Sequence, residues 1–155
     1  MRGYTDADFA GDRVNRKSTS GTLQFLSSCL VSWSSKKQNG VDLSTAKVVY
    51  VAAASYSSRL LLIRQQLRNF GIYDSCVPMY CDNTSATSNS KNPVYHSRVK
   101  HIEIRHYFLK ENVEKGFINV FHIGTDYQIA NIMTKPIKRD KHEKLRMELG
   151  MIRIN

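Results

Sequence analysis

Cysteine and proline are both scarce in this chain, three of each in 155 residues, and tryptophan occurs once. So little proline, with no low-complexity run, excludes collagen-like and polyproline architectures and argues for one folded domain of ordinary density. Cys29, Cys76 and Cys81 are an odd number at spacings that fit neither a disulfide framework nor a paired zinc knuckle. They predict reduced thiols in a cytoplasmic or nuclear protein. No apolar run approaches the ~20 residues that span a bilayer. Met1-Arg2-Gly3-Tyr4 offers no apolar signal core, so a chain that is neither secreted nor membrane-bound is expected. Acids are short as well: 13 Asp and Glu stand against 23 Lys and Arg, a formal net charge of +10. An excess of that size points to a polyanion, nucleic acid ahead of an anionic membrane surface.

Along the chain, residues 3–9 read as a strand that carries acids and turns at Ala10-Gly11-Asp12. Residues 22–26 and 30–34 extend it into a meander. From Leu43 to Phe70 the apolar positions Val49, Ala52, Tyr56, Leu60, Ile63, Leu67 and Phe70 step by three or four, the period of an amphipathic helix. Ser44 or Thr45 would cap it and Gly71 would stop it. Val77 to Cys81 is a further strand, and Asp82-Asn83-Thr84-Ser85 is an N-cap cluster for a short helix broken at Asn92-Pro93. A basic helix over 97–115, a strand over 117–123, a short helix over 126–133 and a basic helix over 138–149 complete the order βββαβααβαα. That order predicts an α/β domain with a mixed sheet.

Chemistry is concentrated in three places. Asp6, with Asp8 two residues on, and Asp82 sit at strand ends that the topology can set side by side. Paired acids of that kind suit Mg²⁺, which takes hard oxygen ligands and keeps waters for a phosphate substrate. The competing reading is that Asp82 merely caps a helix. The second feature is the basic set Arg13, Arg16, Lys17, Lys36, Lys37, Lys91, Arg98, Lys100, Arg105, Lys110 and Lys115, which would make binding steeply salt-dependent. The third is histidine. Steps of five put His96, His101 and His106 on different helix faces, against a shared metal site. His122, near a strand end, is the one placed like an active-site group.

Gly3-Tyr-Thr-Asp-Ala-Asp-Phe-Ala-Gly-Asp12, Arg16-Lys-Ser-Thr-Ser-Gly21, Ser32-Trp-Ser-Ser-Lys-Lys-Gln38, Tyr80-Cys-Asp-Asn83, Lys100-His-Ile-Glu-Ile104 and Gln128-Ile-Ala-Asn-Ile-Met-Thr-Lys135 together resemble the ribonuclease H domain of copia-type retrotransposon polyproteins. The resemblance implies the RNase H-like fold, a five-stranded mixed sheet flanked by helices, over residues 1–155. It also implies acids that hold two Mg²⁺ (or Mn²⁺) ions roughly 4 Å apart. By motif the first acid is Asp6 and the third Asp82. The second should be a glutamate within Ser-Ser-Thr-Glu-Ala-Glu-Tyr, where this chain reads Ser44-Thr-Ala-Lys-Val-Val-Tyr50, so Val49 stands in its place. The fourth should be the Asp of Gln-x-Ala-Asp-x-x-Thr-Lys, and here it is Asn131. Lys47 and Arg59 also replace common acids, moving the site toward positive charge.

Two functions follow from the resemblance. One is a metal-dependent endoribonuclease acting on RNA in a duplex, either RNA:DNA hybrid or double-stranded RNA. Asp6, Asp82 and Asn131 would be its metal ligands, His122 would assist product departure, and Asp8, Asp42 or Asp126 would be reserve ligands. The other is a duplex-binding module that no longer cuts. Either would use Lys17, Ser18, Lys36, Lys37, Asn83, Lys100, His101 and Lys135 against nucleic acid. A Met directly before the first strand is expected either of a free-standing reading frame, then one domesticated from an element, or of a piece trimmed from a longer polyprotein.

Overall fold

The computed structural model describes every residue except 42–43, 73–75, 92–99, 153 and 155, and describes 100–106 by their backbone alone. Five strands, β1 (Arg2–Ala7), β2 (Thr19–Leu26), β3 (Cys29–Lys37), β4 (Val77–Cys81) and β5 (Ile118–His122), form one sheet in the order β3-β2-β1-β4-β5. β1 pairs antiparallel with β2, and β2 with β3, whereas β1, β4 and β5 run parallel. This is the mixed sheet that the resemblance implies. The C-terminal ends of the three parallel strands therefore share one edge, where open α/β sheets bind ligands.

One face is covered by α1 (Thr45–Asn69), with α2 (Thr84–Lys91) and α3 (Lys100–Glu114) beside it. Ser44 caps α1 by accepting the Lys47 amide at 3.3 Å, and Gly71, at φ +76°, ends it. Val49, Ala52, Tyr56 and Leu60 are buried on schedule, in a cluster with Ala7, Val77, Met79 and Val120. Phe70, expected in that stripe, is 79% exposed. A helix of 25 residues is roughly 37 Å long and outruns the strands beneath it, so its last turn projects. Length and a mean hydropathy of 1.2 would also let this helix cross a membrane, against the expectation from apolar runs, yet half of the stretch concerned is buried here as core. Gly3 permits the close approach of α1, since a Cβ there would lie 2.6 Å from Tyr56 Oη.

The other face carries Leu23 and Phe25, which pack with Ile129, Ala130, Leu145 and Leu149. Two 3₁₀ turns, Thr125–Tyr127 and Ile129–Met133, and α4 (Arg139–Glu148) supply this layer. A single short helix was expected over 126–133. Gln128 splits it: fully buried, it donates Nε2 to the Thr5 carbonyl at 2.9 Å and accepts the Ala130 amide at 3.2 Å. The second bond satisfies an amide that a regular helix would have satisfied along its own axis, and the first a carbonyl of β1. The predicted strands β2 and β3 also run longer than read, reaching back to Thr19 and on to Lys37.

Candidate active site

Asp6 lies one residue from the end of β1 and is 2% exposed. The Thr134 hydroxyl donates to its Oδ2 at 2.5 Å, and Lys135 Nζ stands 3.9 Å from the same oxygen. Asp82 is the first residue past β4, on the strand adjacent to β1. Its carboxyl is held above the usual aspartate range, first by burial and then by the negative charge of Asp6, while Lys135 and a hydrogen bond from Thr125 oppose the shift. The two carboxylates thus share one field. Cys81 feels the same pair: burial, with the Asp82 and Asp6 charges behind it, pushes its thiol up to about 11 and keeps it neutral.

Asn131 joins the two sides. Its Nδ2 donates to the Thr125 carbonyl at 3.1 Å, its own backbone carbonyl is the longer alternative acceptor, at 3.2 Å, for the one Thr134 hydroxyl proton that Asp6 takes, and it is 1% exposed. Its Oδ1 is buried without a partner. A buried amide oxygen left unsatisfied costs free energy unless something fills the position. Gly21, paired across β2 with Asp6, lets this segment sit down on the sheet. A Cβ there would meet Met133 Cβ at 2.8 Å and the Ala130 carbonyl at 2.9 Å.

Val49 stands two per cent exposed inside the α1 core cluster and offers no ligand atom. Asp8 does not share the strand with Asp6: β1 ends at Ala7, and the Asp8 carboxylate accepts the Thr19 amide. Asp126 pairs with Lys141 at 3.3 Å and is 94% exposed, and Asp42 lies outside the described residues. Among the described residues, no three His, Cys, Asp or Glu side chains converge as a metal group.

The remaining expected residues divide sharply. Asp82 is not the cap of α2; Asn83 is, accepting the Ala86 amide on Oδ1 at 2.8 Å. Ser18 is buried, and its Oγ accepts the Ala10 amide at 3.1 Å. Lys37 is tied to Asp12 at 2.5 Å, and the same lysine, with the Val14 and Asn15 amides, holds the Asp12 carboxyl well below the usual range. Lys36 is exposed near the end of β3, Lys17 is half-buried in the loop before β2, and Lys135 faces the acids. His122 is exposed at the end of β5, in register with Cys81. Lys100 and His101 open α3, but their side chains lie outside the described residues, as do His96 and Arg98 altogether. Sequence reasoning missed Thr125, Thr134 and Gln128 as the residues that tie the site together. The last two stand inside the Gln128–Lys135 block, where the hydroxyl at Thr134 was the available signal.

No family model matches the chain. It is 38% identical over 151 residues, 97% of its length, to the retrovirus-related Pol polyprotein of transposon TNT 1-94 from Nicotiana tabacum. It is 39% identical over 155 residues to those of transposons RE1 and RE2 from Arabidopsis thaliana. The chain carries the RNase H fold and is homologous to copia-type Pol polyproteins. It spans 11% of the length of each of these polyproteins. LC11-RNase H1, isolated from compost by a metagenomic approach, superposes with a TM-score of 0.60 at 15% identity, covering 92% of this chain and 95% of that one. The same enzyme in complex with an RNA/DNA hybrid gives 0.54 at 16% identity, covering 86% and 92%.

Measured against the two-metal site that the motif resemblance implies, the donor set here is incomplete. Asp6, Asp82 and the orphaned Oδ1 of Asn131 fit one hard divalent cation, with Lys135 as an additional positive charge beside Asp6. They do not fit two. Val49 has no oxygen, and Asn131 brings a dipole where a carboxylate would bring a charge.

Proposed function

We propose that this chain is an RNase H-like endoribonuclease that cuts RNA within a duplex, RNA:DNA hybrid or double-stranded RNA, through a site built for one divalent cation. The observation that carries the reading is the pairing of Asp6 and Asp82 in one field, with Asn131, whose Oδ1 is buried without a partner, bonded to the Thr125 that meets Asp82 and close to the Thr134 that meets Asp6. Mg²⁺ or Mn²⁺ held there would activate water and offset charge at the cut phosphodiester. The chain's own residues do the rest. Thr134 fixes the Asp6 carboxylate, Thr125 fixes Asp82, and Lys135 supplies a cation that a phosphate oxygen can share. His122, exposed beyond Cys81 on the neighbouring strand, is the group available to a departing product. The net charge of +10 favours a polyanion, and the RNA/DNA hybrid bound by LC11-RNase H1 supports a duplex as its form.

Labelled RNA:DNA hybrid, double-stranded RNA and double-stranded DNA, incubated with Mg²⁺, Mn²⁺ or chelator, test the reading. Cleavage of an RNA-containing duplex that needs the divalent ion and disappears in Asp82→Asn is expected. A second reading, a duplex-binding module without catalysis, is favoured by the burial of Val49 in the apolar core where the second acid would stand. It predicts salt-sensitive retention of the duplex with no product, unchanged by chelator.

A further inference from the structure

Part of one sheet face is left bare. On the side that carries Asp6, the second 3₁₀ turn and α4 pack on β2, on Tyr4 of β1 and on Leu30 of β3, and no residue of β4 or β5 belongs to that cluster. Val77, Met79, Cys81, Ile118 and Val120 point the other way, into the core beneath α1. By alternation Pro78 and Tyr80 of β4, with Asn119 and Phe121 of β5, therefore lie on the face of Tyr4 and Asp6. All four keep contact with solvent, Phe121 at 41%.

Across this face the rings form a row. Tyr4, Tyr80 and Phe121 stand in register on β1, β4 and β5. The rings of Tyr4 and Tyr80 stack with centroids 5.0 Å apart and planes 29° apart, and Phe121 follows at 5.8 Å and 31°. At the other end Tyr4 meets Phe25 edge-on. Centroids separated by little more than the strand spacing of about 4.8 Å mean that the rings stand upright and cover one another's faces. Cross-strand pairing stabilises the sheet and accounts for Tyr4 and Tyr80. It leaves Phe121 over: β5 is the last strand of the sheet, so the row ends in an exposed ring beside a strand edge that pairs with no other strand.

The chemistry at this end suits a nucleobase. A base has a flat face to continue the stack and a polar edge for the Asn119 amide or the open backbone edge of β5. The net charge of +10 favours a polyanion, and none of Pro78, Tyr80, Asn119 and Phe121 carries a charge that would repel one. Position ties the row to the acids, because Tyr4 is two residues before Asp6 and Tyr80 two before Asp82. Phe121 is one strand over and two residues back from Asp82, roughly 8 Å. At ~3.4 Å per stacked nucleotide that is two to three nucleotides. A base inside a duplex has both faces covered by its neighbours, so only an unpaired or terminal base can stack here.

We propose that the open end of the ring row takes an unpaired base, stacked on Phe121, from a strand whose duplex part lies at Asp6 and Asp82, so that a duplex with a single-stranded extension is the preferred form of substrate. The proposal rests on the duplex reading above and narrows it.

Fluorescence anisotropy with the full chain in chelator tests it. One labelled RNA strand is paired to give a blunt duplex, a duplex with a short extension at either end, or the same extensions without bases. An extension at one of the two ends is expected to tighten binding roughly five- to tenfold over the blunt duplex. The abasic form should match the blunt one, and 2-aminopurine placed in the extension should be quenched as protein is added. Phe121→Leu should abolish the preference and the quenching while leaving blunt-duplex affinity unchanged, and Phe121→Tyr, which keeps a ring face, should retain both. Wild-type protein that binds blunt, extended and abasic duplexes equally, or a preference that survives Phe121→Leu, overturns the proposal and leaves duplex binding standing. A wild-type dimer that Phe121→Leu turns into a monomer assigns the face to a second copy and overturns it as well. Wild-type protein that binds no duplex overturns both readings.

Discussion

Thr134 donates its hydroxyl to Asp6 across 2.5 Å although the two residues are 128 apart in the chain. The bond closes the sheet edge onto the second 3₁₀ turn and fixes the carboxylate that is 2% exposed at the centre of the site. Thr134→Val keeps the shape and removes the donor, leaving Asp6 buried without its hydroxyl. A loss of about 1–3 kcal/mol is expected, read as a lower urea midpoint with an unchanged slope. A midpoint equal to that of the wild type would mean that the bond carries no weight.

Asp82 gives a pH signature with a fixed sign. Burial and the Asp6 charge hold its folded-state value above that of the unfolded chain, so the folded protein binds the extra proton and stability falls as pH rises through this window. Asp82→Asn removes that penalty. Its melting temperature in chelator should exceed the wild type's at neutral pH, and the gain should fade as pH falls through the folded value toward the ordinary 3.8. A gain that grows on acidification would contradict the sign. Divalent ion should reverse the order, stabilising the wild type and not the variant.

Val49→Glu restores the acid the motif lacks, at a position 2% exposed among apolar neighbours. In chelator the variant should lose roughly 3–5 kcal/mol, the cost of an uncompensated buried charge. Mn²⁺ should return part of that loss and more than it gives the wild type. Denaturation with and without Mn²⁺ checks both, and a variant indifferent to the ion would show that residue 49 does not face the cation.

Much of this was legible in the sequence where one residue acts through local physics. The spacing of Val49, Ala52, Tyr56 and Leu60 announced α1, and Ser44 and Gly71 its ends. The six motif blocks pointed to the sheet and to Asp6 and Asp82. What stayed hidden depends on contacts that no local pattern encodes. Gln128 breaks a helix because Thr5, 123 residues away, takes its amide. Asn83 rather than Asp82 caps α2, and Ser18 Oγ accepts the Ala10 amide, because each finds an unpaired backbone N–H within reach. Phe70 follows the helical period yet meets solvent, because periodicity says which way a residue faces and not whether anything lies opposite.

The measurement that bears most directly on the account is the stoichiometry of Mn²⁺ binding to the intact chain at neutral pH, followed by electron paramagnetic resonance beside Asp82→Asn. One ion per wild-type chain, lost in the variant, is the expected result. Two ions would contradict the incomplete donor set at Val49 and Asn131, and no bound ion would contradict the cation site between Asp6 and Asp82 and leave duplex binding as the function.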